Sequence, residues 1–462
     1  MKQPRSDVAI PGSFRDPSGF IFRRDGVVYR QVNKAYQEHY DRLMACGLYK
    51  ELVGEELIVS HTEVDVEPPD PRTAYKVIEP ERVRFVSYPY EWCFSELKDA
   101  ALALLKIQKK AVEYGMTLKD ASAYNIQFHR GHHVLIDTLS FEVYGGGPWV
   151  AYRQFCQHFL SPLALMSFRD ARLNQLSRVY LDGIPLDLAS ALLPYRSRLS
   201  LPILAHIHLH SKSQRKYAGS RARVEGKMSR MSLLGLLDNL ESSVKNLSWK
   251  FRGVGWVGYY EETNYTEEAW GEKKRVVAEF IDDIRPSTVW DLGSNVGVFS
   301  RIASEKGAFT VSFDMDPGCV EQNYVECKKR GDANLLPLVL DLTNPSPGIG
   351  WCNRERMTVT QRGPADAVLA LALIHHLAIS NNLPFGKIAD FLSETGEWLI
   401  VEYVPKSDSQ VQRLLATRED VFSEYTKEDF EREFGKRFSI VKALELKQSG
   451  RIMYLMRNRG VI

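Results

Sequence analysis

Three aspartates in the C-terminal half have the type and spacing to hold a polar ligand. Asp291, Asp314 and Asp341 each follow a short apolar stretch, and Asp291 begins a turn that contains Gly293 and Gly297. Glycines let a backbone bend sharply and approach a ligand without a side chain in the way. At the carboxyl ends of successive strands, such acids can accept hydrogen bonds from an ammonium group, the two hydroxyls of a ribose and an adenine amino group.

The spacing differs from that of two other nucleotide-binding motifs. A dinucleotide-binding turn would have the pattern GxGxxG, whereas the turn after Asp291 reads GSNVG. A phosphate-binding loop of the form GxxxxGK[ST] is also absent from this position. A generic Rossmann-like domain remains the alternative to a more specific interpretation.

The three acids and the glycine turn resemble those of class I S-adenosylmethionine (SAM)-dependent methyltransferases. The resemblance continues through DAVLALALIHHL at 366–377 and WLIVEYV at 398–404, and so covers nearly the whole C-terminal part. It implies SAM as the cofactor and no metal. The residues that it implies for cofactor binding lie around the three strand ends: Asp291, Gly293, Ser294, Asn295, Gly297, Asp314, Met315, Asp341 and Leu342.

Two histidines, His375 and His376, follow the fourth predicted strand at the same edge of the sheet. Methyl transfer is an in-line displacement, so the protein mainly positions the acceptor and, where necessary, removes its proton. We predict that His376 is the general base. The alternative is that one histidine packs under the sheet edge while the other orders the following loop. Glu402, at the end of the fifth strand, either lines the acceptor pocket or pairs with a neighbouring base.

Alternating strands and helices must bring these residues together. A helix is predicted at 267–284, and helical patterns separate most of the strands, which are predicted at 288–292, 310–314, 336–340, 367–371, 397–402, 438–446 and 452–457. This rhythm predicts a mostly parallel sheet that is covered on both faces, and the closing strand pair suits one antiparallel member. The fold class is therefore α/β, with a Rossmann-like seven-stranded methyltransferase sheet that follows an α+β domain.

The N-terminal half contains a second set of polar residues. Asp120, Asn125 and Asp137 follow a predicted helix at 96–114, and strands are predicted at 57–64 and 82–88, with a hairpin at 19–32. The set resembles the catalytic segment of protein-kinase-like folds, in which an Asp orients the acceptor, an Asn binds metal and a later Asp chelates magnesium. Arg30 stands where that family keeps a lysine, and no glycine-rich phosphate loop precedes it. An unrelated α+β domain is the alternative.

The composition limits the other functional classes. Lys and Arg (60) nearly balance Asp and Glu (58), which argues against a nucleic-acid partner. No apolar run is long enough to span a bilayer, and the N-terminus lacks the apolar core of a secretory signal. Six scattered cysteines without a CxxC pair argue against zinc and indicate a reducing, cytoplasmic location.

Four segments are predicted along the chain. They are a flexible arm at 1–20, an accessory domain at 21–209, a basic linker and helix at 210–262, and the methyltransferase domain at 263–462. Residues 211–230 contain seven Lys or Arg and one acid, Glu225, which predicts a solvated linker or, alternatively, a phosphate-contacting patch. The basic residues there are not interleaved with aromatic residues that could stack on bases.

The resulting hypothesis is methyl transfer from SAM to an unidentified acceptor, with the N-terminal domain binding substrate or a partner. The general texture of the chain resembles that of bacterial nodulation-type methyltransferases, which implies a small-molecule or glycan acceptor. The absence of [ND]PP[YF] after the fourth strand argues against methylation of nucleobase amino groups. Two alternatives remain open: a bifunctional protein with kinase-like Mg-ATP phosphotransfer, and a SAM-binding protein without catalysis.

Overall fold

The computed structural model describes residues 8–212, 228–250, 267–416 and 419–460. The chain divides into two compact units. The first unit comprises Met1–Lys250 together with Gly348–Arg356, and the second comprises Phe251–Pro347 together with Met357–Ile462. Most of the basic segment at 211–230 and the first seven residues of the predicted arm lie outside the described residues.

The first unit begins with an antiparallel sheet. In the described residues its strands lie in the order β1-β2-β3-β5-β4, namely β1 Val8–Ala9, β2 Gly19–Arg24, β3 Val27–Asn33, β4 His61–Glu63 and β5 Ala74–Pro80. Strands β2 and β3 form the predicted hairpin, because Asp25 and Gly26 both have the positive φ that a tight two-residue turn requires. The predicted strand at 82–88 is wrong, since the ladder to β3 is made by β5 instead.

Helices and two small strand pairs complete the first unit. Strand β6 (Met116–Leu118) pairs with β9 (Phe141–Val143), and β7 (Ile126–His129) pairs with β8 (His132–Leu135). The helices are α1 Gln37–Ala45, α2 Leu48–Gly54, α3 Phe94–Glu113, α4 Tyr152–Phe155, α5 Ser161–Phe168, α6 Leu176–Val179, α7 Leu186–Leu192, α8 Leu201–Ile203 and α9 Arg230–Asn246.

Helix α9 belongs to the first unit and lies in the segment predicted as a basic linker and helix. Lys98 on α3 donates to the carbonyl of Lys245 at 2.8 Å, and Lys109 on α3 pairs with Asp238 at 2.5 Å. Leu237 and Leu240 of α9 are fully buried. The apolar stripe of α9 is thus part of the packing of this unit.

The second unit is built on one sheet. Its elements in the described residues are α10 Glu267–Ile284, β10 Thr288–Leu292, α11 Val298–Glu305, β11 Phe309–Asp314, α12 Pro317–Arg330, β12 Leu335–Val339, β13 Ala365–Ala370, α13 Phe385–Thr395, β14 Gly396–Tyr403, α14 Ser409–Leu415, α15 Lys427–Gly435, β15 Phe438–Glu445 and β16 Ile452–Asn458.

The strand order in the described part of this sheet is β12-β11-β10-β13-β14-β16-β15. Strands β10 to β14 are parallel, and β16 runs antiparallel to both of its neighbours. The parallel strands are mostly apolar because helices cover both faces. Val277 and Phe280 of α10, for example, pack in one core cluster with Val289 and Ala367 of the sheet. The predicted fold class is confirmed.

The order of the strands fixes where a ligand can bind. Strands β10 and β13 are adjacent, yet the chain leads from β10 outward through β11 and β12 before it returns to β13. Ligands of open α/β sheets bind at such a reversal, beside the carboxyl ends of the strands. No helix among the described residues is long and apolar enough to cross a membrane.

Candidate functional site

The turn after β10 is built for close approach of its backbone to a ligand. Gly293 and Gly297 have φ values of 75° and 76°, and Asn295 has 52°. The amides of Gly293 and Ser294 both donate to the carbonyl of Phe313 at 2.9 Å, which ties the turn to β11. A Cβ on Gly297 would lie 2.4 Å from the side chain of Asn323, so only glycine fits there.

Asp291 and Asp314 lie beside this turn, and both are less than a tenth exposed. Burial raises the pKa of Asp291 to about 7 and that of Asp314 to about 6. The backbone amide of Asn295 donates to Asp314 at 2.7 Å, and Ser300 Oγ donates to Asp291 at 2.6 Å. In the described part of the chain, neither carboxylate has a cation within ion-pair distance. The site therefore favours a ligand with a positive charge and several hydroxyls.

A buried polar network supports the turn from below, and the sequence analysis did not predict it. Ser312 Oγ donates to Ser294 Oγ at 2.7 Å, while Asn323 Nδ2 donates to Ser312 Oγ at 2.9 Å and Ser300 Oγ lies 3.1 Å away. Arg301 then donates to Asn323 Oδ1 at 2.6 Å. The available signal was a serine inside an otherwise apolar strand, since a buried hydroxyl requires a partner.

The other predicted cofactor residues occupy the same edge with different exposure. Asp341 lies two residues beyond the end of β12, where it accepts hydrogen bonds from the amide and hydroxyl of Thr343 at 2.8 and 2.7 Å. Leu342 beside it is partly exposed, and Met315 is 60% exposed. Because β11 and β12 are parallel neighbours, Asp314 and Asp341 follow adjacent strand ends. All nine predicted residues thus belong to the segments at the ends of β10, β11 and β12.

The two histidines after β13 have different environments. His375 is fully buried, and neither ring nitrogen has a hydrogen-bond partner among the described residues. His376 is partly exposed, and its ring lies 4.2 Å from that of His375. Burial, together with the charge of Arg451, lowers the pKa of His376 to about 4. His376 is thus neutral near pH 7, as a proton acceptor must be.

A buried ion network fixes the backbone in front of these histidines. Glu402 Oε2 lies 2.6 Å from Lys273 Nζ and accepts the amide hydrogen of Ala372 at 2.8 Å. Ala372 has a φ of 50°, which is unusual for a residue with a Cβ. Arg451 connects Glu402 at 3.3 Å with Asp408 at 2.8 Å. Glu402 is fully buried, so of its two predicted roles the structure supports pairing with bases.

The kinase-like residues of the first unit also come together. Asn125 Nδ2 donates to Asp120 Oδ2 at 3.0 Å, and it lies 3.4 Å from Ser140 Oγ, which in turn donates to Asp137 at 2.9 Å. Arg30 Nη1 lies 2.5 Å from Asp137 Oδ1. The guanidinium thus occupies one carboxylate oxygen that a metal would need. The described residues contain no group of three or more His, Cys, Asp or Glu side chains placed to hold a metal ion.

The residues of the second unit fit SAM, the cofactor of the class that this fold defines. A buried carboxylate without a cationic partner matches the methionine ammonium, and Asp314 retains lone pairs that could accept from ribose hydroxyls. The strand order, the antiparallel β16 and the glycine turn define this unit as a class I SAM-dependent methyltransferase domain.

One curated relative covers both units. The nodulation protein NoeA of Rhizobium meliloti (strain 1021) is 35% identical over 460 residues, which include 96% of this chain and 95% of the relative. The chain belongs to the NoeA family of nodulation proteins. No protein-family model matches the chain.

Several solved structures are similar to part of the chain. ChlM, a magnesium protoporphyrin IX methyltransferase from Synechocystis PCC 6803 with bound SAH, is 15% identical over 44% of this chain and 92% of its own, with a TM-score of 0.32. The N-methyltransferase NodS from Bradyrhizobium japonicum WM9 is 10% identical over 42% and 97%, with a TM-score of 0.31. WbdD is 17% identical over 40% of each chain, with a TM-score of 0.29.

Proposed function

We propose that the protein transfers the methyl group of SAM to a small-molecule or glycan acceptor. The observation that carries this proposal is the pair of buried carboxylates, Asp291 and Asp314, beside a glycine turn at the carboxyl ends of β10 and β11. Asp291 would hold the ammonium group, Asp314 the ribose and Asp341 the adenine. SAM supplies an electrophilic methyl carbon, so the remaining work of the protein is to orient the acceptor and to receive its proton.

His376 is proposed as the residue that receives this proton. It is partly exposed in the segment that follows β13, and it is neutral near pH 7 because burial lowers its pKa. Its low basicity suits an acceptor that loses its proton late in the displacement, as the bond to carbon forms. Ala372 and the network of Glu402, Lys273 and Arg451 hold the segment that presents it.

Calorimetric titration of SAM tests the cofactor site. Asp314→Ala should weaken binding by about 1–3 kcal/mol, because an acceptor for charged or hydroxyl hydrogen bonds is lost. Asp282→Ala is a matched control, since Asp282 is an exposed acid that pairs with Lys306 in the same unit. If wild-type protein binds no SAM, or if the two variants bind equally well, the proposed site is wrong.

His376→Ala should leave SAM binding within about twofold of wild type and slow methyl transfer by about 10²–10⁴-fold, the usual contribution of a general base. Formation of S-adenosylhomocysteine in a small-molecule bacterial extract is the measurement. His375→Ala is the comparison, since that ring is fully buried. Equal transfer by His376→Ala and wild type would exclude the proposed role. Tight SAM binding without any transfer would instead support a non-catalytic SAM-binding protein.

The first unit is proposed to bind the substrate or a partner. A second candidate function is Mg-ATP phosphotransfer, favoured by the convergence of Asp120, Asn125 and Asp137. The ion pair between Arg30 and Asp137 opposes it, because a divalent cation would have to displace the guanidinium. We also propose a reducing, cytoplasmic location, which the six free cysteines support.

A further inference from the structure

Three large apolar side chains are exposed close together in the first unit, on the segment between α7 and α8. Tyr195, Leu199 and Leu201 are 78%, 83% and 76% exposed. Single exposed apolar residues are ordinary on a protein surface, whereas a local concentration of them marks a site of interaction. No other stretch of seven residues in the described part of the chain has three exposed large apolar side chains.

The backbone that presents these side chains is fixed from inside the unit. Ser197 is fully buried, and its hydroxyl donates to the carbonyl of Pro194 at 2.7 Å and lies 2.9 Å from His208 Nε2. The hydroxyl of Ser190 lies 2.8 Å from the other ring nitrogen of this histidine. Ile203, just beyond the segment, is also buried. The exposed apolar side chains therefore belong to an anchored segment with one buried and one solvent-facing side.

The charged residues of the same segment are all basic. Arg196 and Arg198 alternate with the apolar residues, and both are exposed. The guanidinium of Arg198 lies 4.9 Å from the ring centre of Tyr195, which keeps the charge beside the apolar surface. The sequence has no acid between Asp187 and Glu225, although the net charge of the whole chain is only +2. Positive charge is thus concentrated where the apolar side chains are exposed.

A neighbouring segment adds to this charge. Arg196 donates to the carbonyl of Phe168 at 3.0 Å, which brings Arg169 and Arg172 beside the exposed residues. Both of these arginines are exposed. The acid between them, Asp170, already pairs with Arg172 at 2.6 Å. The acid in this neighbourhood therefore leaves most of the positive charge uncompensated.

Exposed leucines among arginines suit an anionic lipid surface. Leucine side chains enter the boundary between headgroups and acyl chains, while arginines keep their charge at the level of the lipid phosphates. Tyrosine has an apolar ring and a polar hydroxyl, which favours the same interface. A nucleic acid would also attract the arginines, but Leu199 and Leu201 have no ring on which a base could stack. The combination of charge and aliphatic surface thus favours lipid.

We propose that the surface formed by Tyr195, Arg196, Arg198, Leu199 and Leu201, here called the 195–201 surface, docks the protein on an anionic membrane. The contact is with the membrane surface and needs no spanning segment. Apolar insertion and electrostatic attraction each give weak binding alone, and together they hold a protein at a membrane. This inference goes beyond the proposed methyl transfer and does not depend on SAM.

Cosedimentation of the full chain with lipid vesicles tests the inference. Vesicles of phosphatidylcholine mixed with phosphatidylglycerol should bind the protein at least about tenfold more strongly than phosphatidylcholine alone, and added salt should weaken this binding. Leu199→Ser/Leu201→Ser should weaken it by at least about tenfold, although the net charge is unchanged. Arg196→Gln/Arg198→Gln should weaken it to a similar extent, because two charges are lost.

Val325→Ser/Val421→Ser is the matched control, because these valines are 50% and 65% exposed in the second unit. It should bind the mixed vesicles as wild type does. Equal binding of wild type to both kinds of vesicle, or binding that the leucine variant retains, overturns the inference. Tighter binding to a single-stranded oligonucleotide than to the mixed vesicles also overturns it and would assign the arginines to nucleic acid.

SAM titration keeps this inference separate from the proposed function. Each variant of the 195–201 surface should bind SAM as wild type does and keep its melting temperature, since the altered side chains are exposed and lie in the other unit from the cofactor site. Vesicle binding without SAM binding would support the membrane inference and contradict the proposed cofactor site. SAM binding without vesicle binding would do the reverse.

Discussion

Asp291 is a buried acid, and burial makes its ionised form unfavourable in the free protein. A bound cation would stabilise that ionised form. The Asp291 pKa of about 7 means that the free protein holds a substantial protonated fraction near neutrality. A ligand ammonium favours the ionised form, so binding must release this proton. SAM affinity should therefore be highest above pH 7 and fall by about tenfold between pH 8 and pH 6, as one unit of pKa corresponds to a factor of ten.

Titration calorimetry across this pH range, in buffers of different ionisation enthalpy, measures both the affinity and the number of protons released. Asp291→Asn is the control, because an amide cannot titrate and should give a nearly flat profile above pH 7. Asp314, whose pKa is raised to about 6, adds its own loss at lower pH. An affinity of the wild type that rises on acidification would contradict the assignment of Asp291 to the ammonium group.

At the scale of elements, the turn between β10 and α11 requires a residue without a Cβ at Gly297. Gly297→Ala combines a left-handed backbone with a Cβ only 2.4 Å from Asn323, part of the network beneath the turn. We expect a loss of about 1–3 kcal/mol in the free energy of unfolding from the backbone alone, with the crowding in addition. Urea denaturation measures this loss.

Gly307→Ala is the matched control for this substitution. Gly307 has a φ of 95° and nothing within 4 Å of its missing Cβ, so alanine there meets the backbone penalty without the crowding. The excess loss in Gly297→Ala is the part that comes from Asn323. SAM affinity should fall only in the Gly297 variant, and equal effects of the two substitutions would show that crowding is unimportant.

Elements with a strong local pattern were predictable from the sequence. Strand β10 and helix α10 have the predicted bounds, because an apolar run and a helical stripe each satisfy their burial locally. Strand β5 at Ala74–Pro80 was missed, since its place is set by pairing with β3 over forty residues earlier. The apolar residues at 82–88 attracted the prediction instead, but Phe85 is buried without joining a ladder.

The same distinction between local patterns and long-range contacts applies to the candidate site. Its acids and glycines were predictable because a strand end fixes their position within one short segment. The partners of Glu402 were not, since Lys273 and Arg451 lie 129 and 49 residues away in sequence. Long-range ion pairs depend on how strands and helices pack, and nothing in the local pattern specifies that packing.

At the scale of the whole molecule, the chain leaves the second unit between β12 and β13. Residues Gly348–Arg356 belong to the first unit, where the Arg356 guanidinium lies 4.3 Å from the ring of Tyr124 and Arg15 pairs with Glu355 at 2.8 Å. Ile349 packs there against a cluster of three tyrosines. The sequence predicted domains that follow one another along the chain. It did not predict that residues 348–356, within the C-terminal half, belong to the first unit.

Two compact units with separate cores predict two thermal transitions in differential scanning calorimetry of the full chain. SAM at about 100 times its Kd should stabilise the second unit by about 2.7 kcal/mol and raise its transition, because the ligand binds only the folded form. Asp314→Ala identifies this transition, since its weaker SAM binding should reduce the shift at the same SAM concentration. Mg-ATP should leave both transitions unchanged, as Arg30 already neutralises Asp137. If Mg-ATP shifts a transition and Asp137→Ala removes that shift, the bifunctional alternative is favoured. If SAM shifts the transition of the first unit, the assignment of the cofactor site to the second unit is contradicted.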